Sequence, residues 1–239
     1  MAYTDSRSVK SQLDESSSGP VPGQAAPRRR LSVAVRERQI LEAAIKFFAK
    51  RGFTGQLRDL AKEIGVTHAL LYHYFPTKRA LIERVYAEVF EGRWKNDWDN
   101  ILDDPAASPL DKLSEFYCDY ARVVLTYDFV RILIYSGLDD QIITDRFFAL
   151  LRKRLLPRLI RETRRHCGVT TEGQPSAREL ELLMGLHGGI FYTGIRRWVY
   201  GQAIHHKSAV AEDDDSVRDR VRAYLSSAKE ILYAKEQSS

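Results

Sequence analysis

Two cysteines are all that this chain of 239 residues carries. Cys118 and Cys167 stand far apart with no C-x-x-C spacing, which excludes a disulfide framework and a structural zinc cluster and points to a reducing, cytoplasmic compartment. Long apolar runs are also missing: none approaches the ~20 residues of a membrane span. The first residues, Met1 to Gly19, are polar and Ser-rich rather than charged and then apolar, so neither membrane insertion nor export is expected. No stretch sustains a period-2 alternation, which argues against a sheet, and no repeat of solenoid period is present. Nor is there a nucleophile elbow, a phosphate-cradling glycine loop, a dinucleotide glycine fingerprint or a helical His pair with Glu. An all-helical enzyme is therefore the weakest reading, and no cofactor is expected. His166-Cys167 and His205-His206 lack ligand partners at useful spacing, so no metal site is expected.

What is present is a chain of ordinary globular composition, 44% hydrophobic and 29% charged, whose charge is unevenly placed. From Arg28 to Tyr86 thirteen Lys or Arg face five Asp or Glu, a local excess of eight on a chain whose whole net charge is +5. A positive field concentrated this way serves a polyanion, and nucleic acid is the commonest one. Residues 1–27, rich in Ser, Gly, Pro and Gln, read as a disordered tail. Residues 28–77 read as a DNA-binding domain, and 78–239 as a helical ligand-binding and dimerisation domain.

The periodicity predicts an all-α fold of about nine helices. Ser32 opens the first, whose apolar face is Ile40, Leu41, Ala44, Ile45 and Phe48 and which stops at Gly52. Leu57, Leu60, Ala61 and Ile64 follow i, i+3, i+4, i+7 on a short second helix ending at Gly65. Thr67 caps a third through Tyr74, and a fourth begins near Lys78 with Leu81, Ile82, Val85 and Val89 buried. Further helices are predicted at 109–126, 129–137, 140–166 with a kink or break at Pro157, 176–200, and 215–235 with Asp213 to Asp215 as its cap.

Residues 57–76 satisfy the several demands of a helix-turn-helix at once. Two short helices need a small residue at their crossing and a turn that tolerates glycine, and Ala61 and Gly65 stand four apart in those roles. On the second of these helices, His68, Ala69, Tyr72 and His73 share one outward stripe, while Leu70, Leu71 and Tyr74 point largely inward. His68 suits a base edge, Ala69 a thymine methyl, and Tyr72 and His73 bases or phosphates.

Gly52-Phe53, Leu57-Arg58-Asp59-Leu60-Ala61, Gly65-Val66-Thr67, Leu71-Tyr72-His73-Tyr74-Phe75 and Lys78-x-x-Leu81 together resemble the N-terminal signature of the tetracycline-repressor (TetR) family, over about residues 32–85. The resemblance implies a homodimer that binds operator DNA through its third helix and is released by a ligand held in the C-terminal domain. It would place Thr67, His68, Ala69, Tyr72, His73 and Tyr74 on DNA, with Lys78 and Arg58 on phosphates. The chain departs from the family at Thr54-Gly55-Gln56, one residue short before helix 2, and at His68-Ala69, where Lys-Gly is common. Arg28, Arg29 and Arg30, just ahead of helix 1, suit an arm along phosphates or in the minor groove.

Beyond Tyr86, the faces Leu180, Leu183, Met184, His187, Phe191, Gly194 and Val217, Val221, Tyr224, Leu225, Ala228, Leu232 are expected to form a four-helix dimer seam. Among the aromatics of the middle helices, Tyr120, Arg131, Tyr135, His187, Phe191 and Thr193 are the candidate ligand-binding residues. Arg131 beside aromatic rings suggests an aromatic or acyl carboxylate as the small-molecule effector. A DNA-binding regulator without such a ligand, governed by a protein partner or by abundance, is the alternative.

Overall fold

Gly52 and Gly65 both take positive φ, 72° and 67°, and between them they cut the first 40 described residues into the predicted short helices. The computed structural model describes residues 32–171, 173–202 and 210–233; the tail 1–27, Arg28 to Arg30 and His205-His206 lie outside the described residues. Helix α1 (Val33–Arg51) buries Ile40, Leu41, Ala44, Ile45, Phe47, Phe48 and Ala49 on one face. It is followed by α2 (Leu57–Glu63), α3 (His68–Tyr74) and α4 (Lys78–Val89). Thr67 and Thr77 accept from Leu70 N and Ala80 N at 3.2 and 3.0 Å, so two hydroxyl caps start α3 and α4.

The remaining helices are α5 (Asn96–Asp103), α6 (Pro109–Val124), α7 (Tyr127–Leu138), α8 (Ile142–Leu150), α9 (Leu156–Cys167), α10 (Ala177–Trp198) and α11 (Val210–Tyr233). No strand occurs among the described residues. Three boundaries differ from expectation. Helix α5 was not anticipated, because its polar run Asn-Asp-Trp-Asp-Asn carries too few apolar residues for a periodicity; it is held by Trp98 and Leu102, both buried. The predicted helix 140–166 is interrupted by a π-helical turn, Leu151–Leu155, just ahead of Pro157. The proline lacks the N–H that would continue the α ladder, and the wider turn absorbs the misfit. Helix α11 begins at Val210, so Asp213 to Asp215 lie within its first two turns instead of capping it.

Most described residues from Val33 onward belong to one compact unit, with a single core running from Ile40 to Leu225. Helix α1 packs on α4 and α7, and α11 packs on α6, α9 and α10. The α11 face expected at a dimer seam, Val217, Val221, Tyr224, Leu225 and Ala228, is buried within the chain itself. On α10 the inward residues are Leu183, His187, Ile190 and Gly194. Gly194 is required there: a Cβ would meet Val130 Cγ2 at 2.9 Å.

Two ion pairs pin the bundle. Lys112 Nζ sits 3.1 Å from Glu162 Oε2, with side chains only 2% and 3% exposed, joining α6 to α9. Arg164 and Glu179 form a two-pronged pair at 2.6 and 2.8 Å, and Glu179 also closes the capping box with Ser176 at the start of α10. Tyr233 at the end of α11 donates to Glu179 Oε1 at 2.6 Å.

Candidate nucleic-acid interface and buried polar cluster

Helix α3 is seven residues long and buries one of them, Leu71, completely. Half-buried Leu70 and Tyr74 flank it, and His68, Ala69, Tyr72 and His73 stand in solvent. Tyr72 is 40% exposed, a large aromatic that no core contact requires to be there. His68 and Tyr72, one turn apart, lie edge to face with ring centroids 4.6 Å apart, so the two rings form one raised ridge. Behind the helix, Leu60 and Ala61 of α2 are buried, and Val66 N returns to Ala61 O at 3.0 Å to close the turn. The turn asks for glycine at 65 by its φ of 67°, not by crowding, since nothing lies within 4 Å of a Cβ built there. Gly55 is the opposite case: a Cβ there would lie 2.7 Å from the Phe47 ring.

Around this ridge the structure separates the anticipated phosphate contacts. Arg58 is exposed on α2. Lys78 is half-buried, and its ammonium donates to the Phe53 carbonyl, tying the start of α4 to the loop after α1 instead of pointing outward. Thr67 is exposed, with its hydroxyl oxygen engaged as the α3 cap. Gln56 occupies the N-cap position of α2 without a side-chain hydrogen bond, so the shortened loop leaves that helix start uncapped by a side chain.

The six residues anticipated around a ligand fall into three places. Arg131 and Tyr135 are not with the others. The Arg131 guanidinium donates to Ala49 O at 2.6 Å, Trp198 O at 3.2 Å and Tyr135 Oη at 2.7 Å, and Tyr135 Oη reaches Lys50 O at 3.5 Å. The arginine thus ties the C-terminal carbonyls of α1 to the end of α10, its charge set against the negative ends of both helices. It links α1 to α10, with its donors directed to two backbone carbonyls and the Tyr135 hydroxyl. Thr193 is spent within α10, donating to Ile190 O at 2.7 Å. Phe191 is half-buried against the core.

Tyr120 and His187 do come together, Tyr120 Oη lying 3.4 Å from His187 Nε2 between α6 and α10. Tyr117, one turn before Tyr120, was not among the candidates; its hydroxyl is buried with no hydrogen-bond partner among the described residues, as is His187 Nδ1. The i, i+3 spacing of the two tyrosines was the available signal. Burial holds His187 neutral, its pKa lowered to about 4, and pushes the Tyr117 and Tyr120 hydroxyls up. Trp98 of α5 and Phe116 pack beside this cluster, with ring centroids 6.1 and 5.8 Å from Tyr120. No three His, Cys, Asp or Glu side chains among the described residues gather to hold a metal ion, and no described helix is long and apolar enough to cross a membrane.

Two short helices, α2 and α3, joined by a turn at Gly65 and carrying an outward aromatic ridge on the second, form a helix-turn-helix arrangement. Residues 40–85 match the family of bacterial regulatory proteins, tetR family. The chain is 39% identical over 64 residues to the HTH-type transcriptional regulator LuxR of Vibrio harveyi, covering 26% of this chain and 31% of that protein. It is 33% identical over 96 residues to the HTH-type transcriptional repressor KstR2 of Mycolicibacterium smegmatis, covering 38% and 44%. These matches span less than half the length of either relative. The fold extends further: a TetR-like regulator from Rhodococcus sp. RHA1 superposes with a TM-score of 0.61 at 20% identity, over 82% of this chain and 99% of that one. The ketosteroid transcriptional regulator KstR2 of Mycobacterium tuberculosis gives 0.56 at 18% identity, over 82% and 95%. Residues 40–85 are thus similar to the DNA-binding segment of tetR-family regulators, and the fold of the described chain is the one seen in TetR-like structures.

Proposed function

We propose that this protein is a cytoplasmic repressor that binds a palindromic operator as a homodimer and releases it when a small molecule enters the bundle. The observation that carries the DNA-binding half is the α3 ridge, His68, Ala69, Tyr72 and His73, exposed on a helix whose other face is buried. Within the division at residue 77, the N-terminal helices read DNA, with Arg28 to Arg30 as an arm and Arg58 on a phosphate. The Lys78 ammonium contributes by holding the loop after α1. Two copies are needed because one seven-residue helix spans too few base edges for specificity, and half-sites lie about 34 Å apart. The buried faces of α10 and α11 leave the outer face of α10 for the second copy: Gly185, Gly188 and Tyr192 are exposed there. Glycines inside an exposed helix cost about 1 kcal/mol each against alanine, a cost that close approach of another backbone explains.

The effector half is supported by the polar cluster of Tyr117, Tyr120 and His187, and by the Arg131 link, through which a shift of α10 would reach α1. The test is selection of bound duplexes from a random pool by the purified full chain at ~0.15 M salt. Enrichment of one two-fold symmetric sequence is expected, and equal retention of all sequences would exclude a specific operator.

A further inference from the structure

We propose that the cluster of Tyr117, Tyr120 and His187 is the binding site of an uncharged molecule, an apolar body bearing a hydroxyl or carbonyl oxygen that pairs with the Tyr117 hydroxyl and His187 Nδ1. The inference rests on the effector reading above and narrows its ligand. Buried polar atoms almost always find partners, and those left without one inside a bundle cost stability. Here two such atoms lie in one place, on rings whose centroids are 6.0 Å apart. Their neighbours do not supply what is missing. Tyr120 already lies against His187 Nε2, and Tyr224 is engaged with Thr163 at 3.0 Å.

The charge of the ligand follows from what surrounds the cluster. Burial alone lowers the His187 pKa, and the groups acting on Tyr117 besides burial are Tyr224 and Tyr120. No arginine, lysine or carboxylate among the described residues contributes at either ring. A carboxylate would enter without a counter-charge, at a desolvation cost that no group here offsets. The guanidinium that invited a carboxylate reading, Arg131, is committed to Ala49, Trp198 and Tyr135. The rings of Phe116 and Trp98 pack beside the two tyrosines and offer apolar contact to such a body.

The test uses 2-naphthol and 2-acetylnaphthalene as uncharged probes and 2-naphthoate as the anion of the same skeleton, with the full chain at pH 7. Binding is read by tryptophan fluorescence, Trp98 lying 6.1 Å from Tyr120, and by the shift in Tm. Both uncharged probes are expected to change the fluorescence and raise Tm, and the naphthoate to do neither. Tyr117→Phe should raise the Tm of the free chain by about 2–4 °C, because it deletes an unpartnered hydroxyl and keeps the ring. The same change should weaken probe binding about 10-fold. Absence of binding by either uncharged probe overturns the proposal, as does a Tm lowered by Tyr117→Phe. Naphthoate binding as tightly as naphthol refutes the ligand class and leaves the effector reading standing. Uncharged probes that bind and leave DNA affinity unchanged refute the effector reading and leave the site.

Discussion

The molecule carries two pairs of histidine and tyrosine, and they are put to opposite use. His68 and Tyr72 stand one turn apart on α3, exposed, with ring centroids 4.6 Å apart. His187 and Tyr120 come from α10 and α6 and are buried, 5.2 Å apart. The first pair keeps its polar atoms in water, where they remain available to a base or phosphate. The second has lost its water, and one of its nitrogens has gained nothing in return. The contrast separates a polar surface left open to solvent from polar atoms closed inside the bundle.

If that contrast is right, substitutions in the bundle change stability and those on α3 do not. The largest effect is expected at the buried ion pair. Glu162→Leu leaves the Lys112 ammonium, 2% exposed, with the Leu102 carbonyl at 3.2 Å as its remaining partner among the described residues. A loss of about 3–5 kcal/mol in urea unfolding is expected, since removing one partner strands a buried charge.

Acid should act on the bundle in two steps. The Arg164 guanidinium, with Tyr233 and Ser176, lowers the Glu179 pKa from 4.5 to about 2. Its contribution, of order 3 kcal/mol, is present above pH 4.5 and lost as pH falls toward 2. His187 is a base whose folded pKa is depressed from 6.5 to about 4, so the folded state is penalised progressively as pH falls from 6.5 to 4. Unfolding free energy measured against pH should therefore be level between about 6.5 and 9.0, the ordinary cysteine value, above which the buried thiols and tyrosine hydroxyls, all raised in the folded chain, lower it. His187→Leu should remove the upper step, and Glu179→Gln the lower.

A smaller effect is expected where the two regions are joined. Arg131→Met removes the donors to Ala49 O and Trp198 O. It should cost about 1–3 kcal/mol in thermal unfolding and weaken DNA binding several-fold by loosening α1. An unchanged DNA affinity would show that the link serves the bundle alone.

The N-terminal helices were legible because their signals are local. Thr67, Thr77, Gly52 and Gly65 mark ends by their own conformations, and the stripe on α3 follows from angular spacing alone. Long-range partners were not legible. Periodicity shows that Val217, Val221 and Tyr224 form an apolar face, but not that α6, α9 and α10 of the same chain cover it. A hydrogen bond between residues 82 apart, Arg131 to Ala49, leaves no trace in either segment. The same holds for Lys78 and Phe53, and for the pairing of His187 with Tyr120. Helix α5 escaped because its stability comes from Trp98 in a pocket, with Trp98 Nε1 donating to Asp119 at 2.7 Å, and not from its own sequence.

The most direct measurement is a salt-controlled DNA titration of the double substitution His68→Ala with Tyr72→Ala, run beside its thermal melt. Loss of both exposed side chains should weaken binding to the selected operator by about 10- to 1,000-fold, at one or two base contacts of 1–3 kcal/mol each, with Tm moved by less than about 2 °C. Undiminished operator affinity, or a collapsed melt, would contradict the assignment of α3 as the DNA-reading surface.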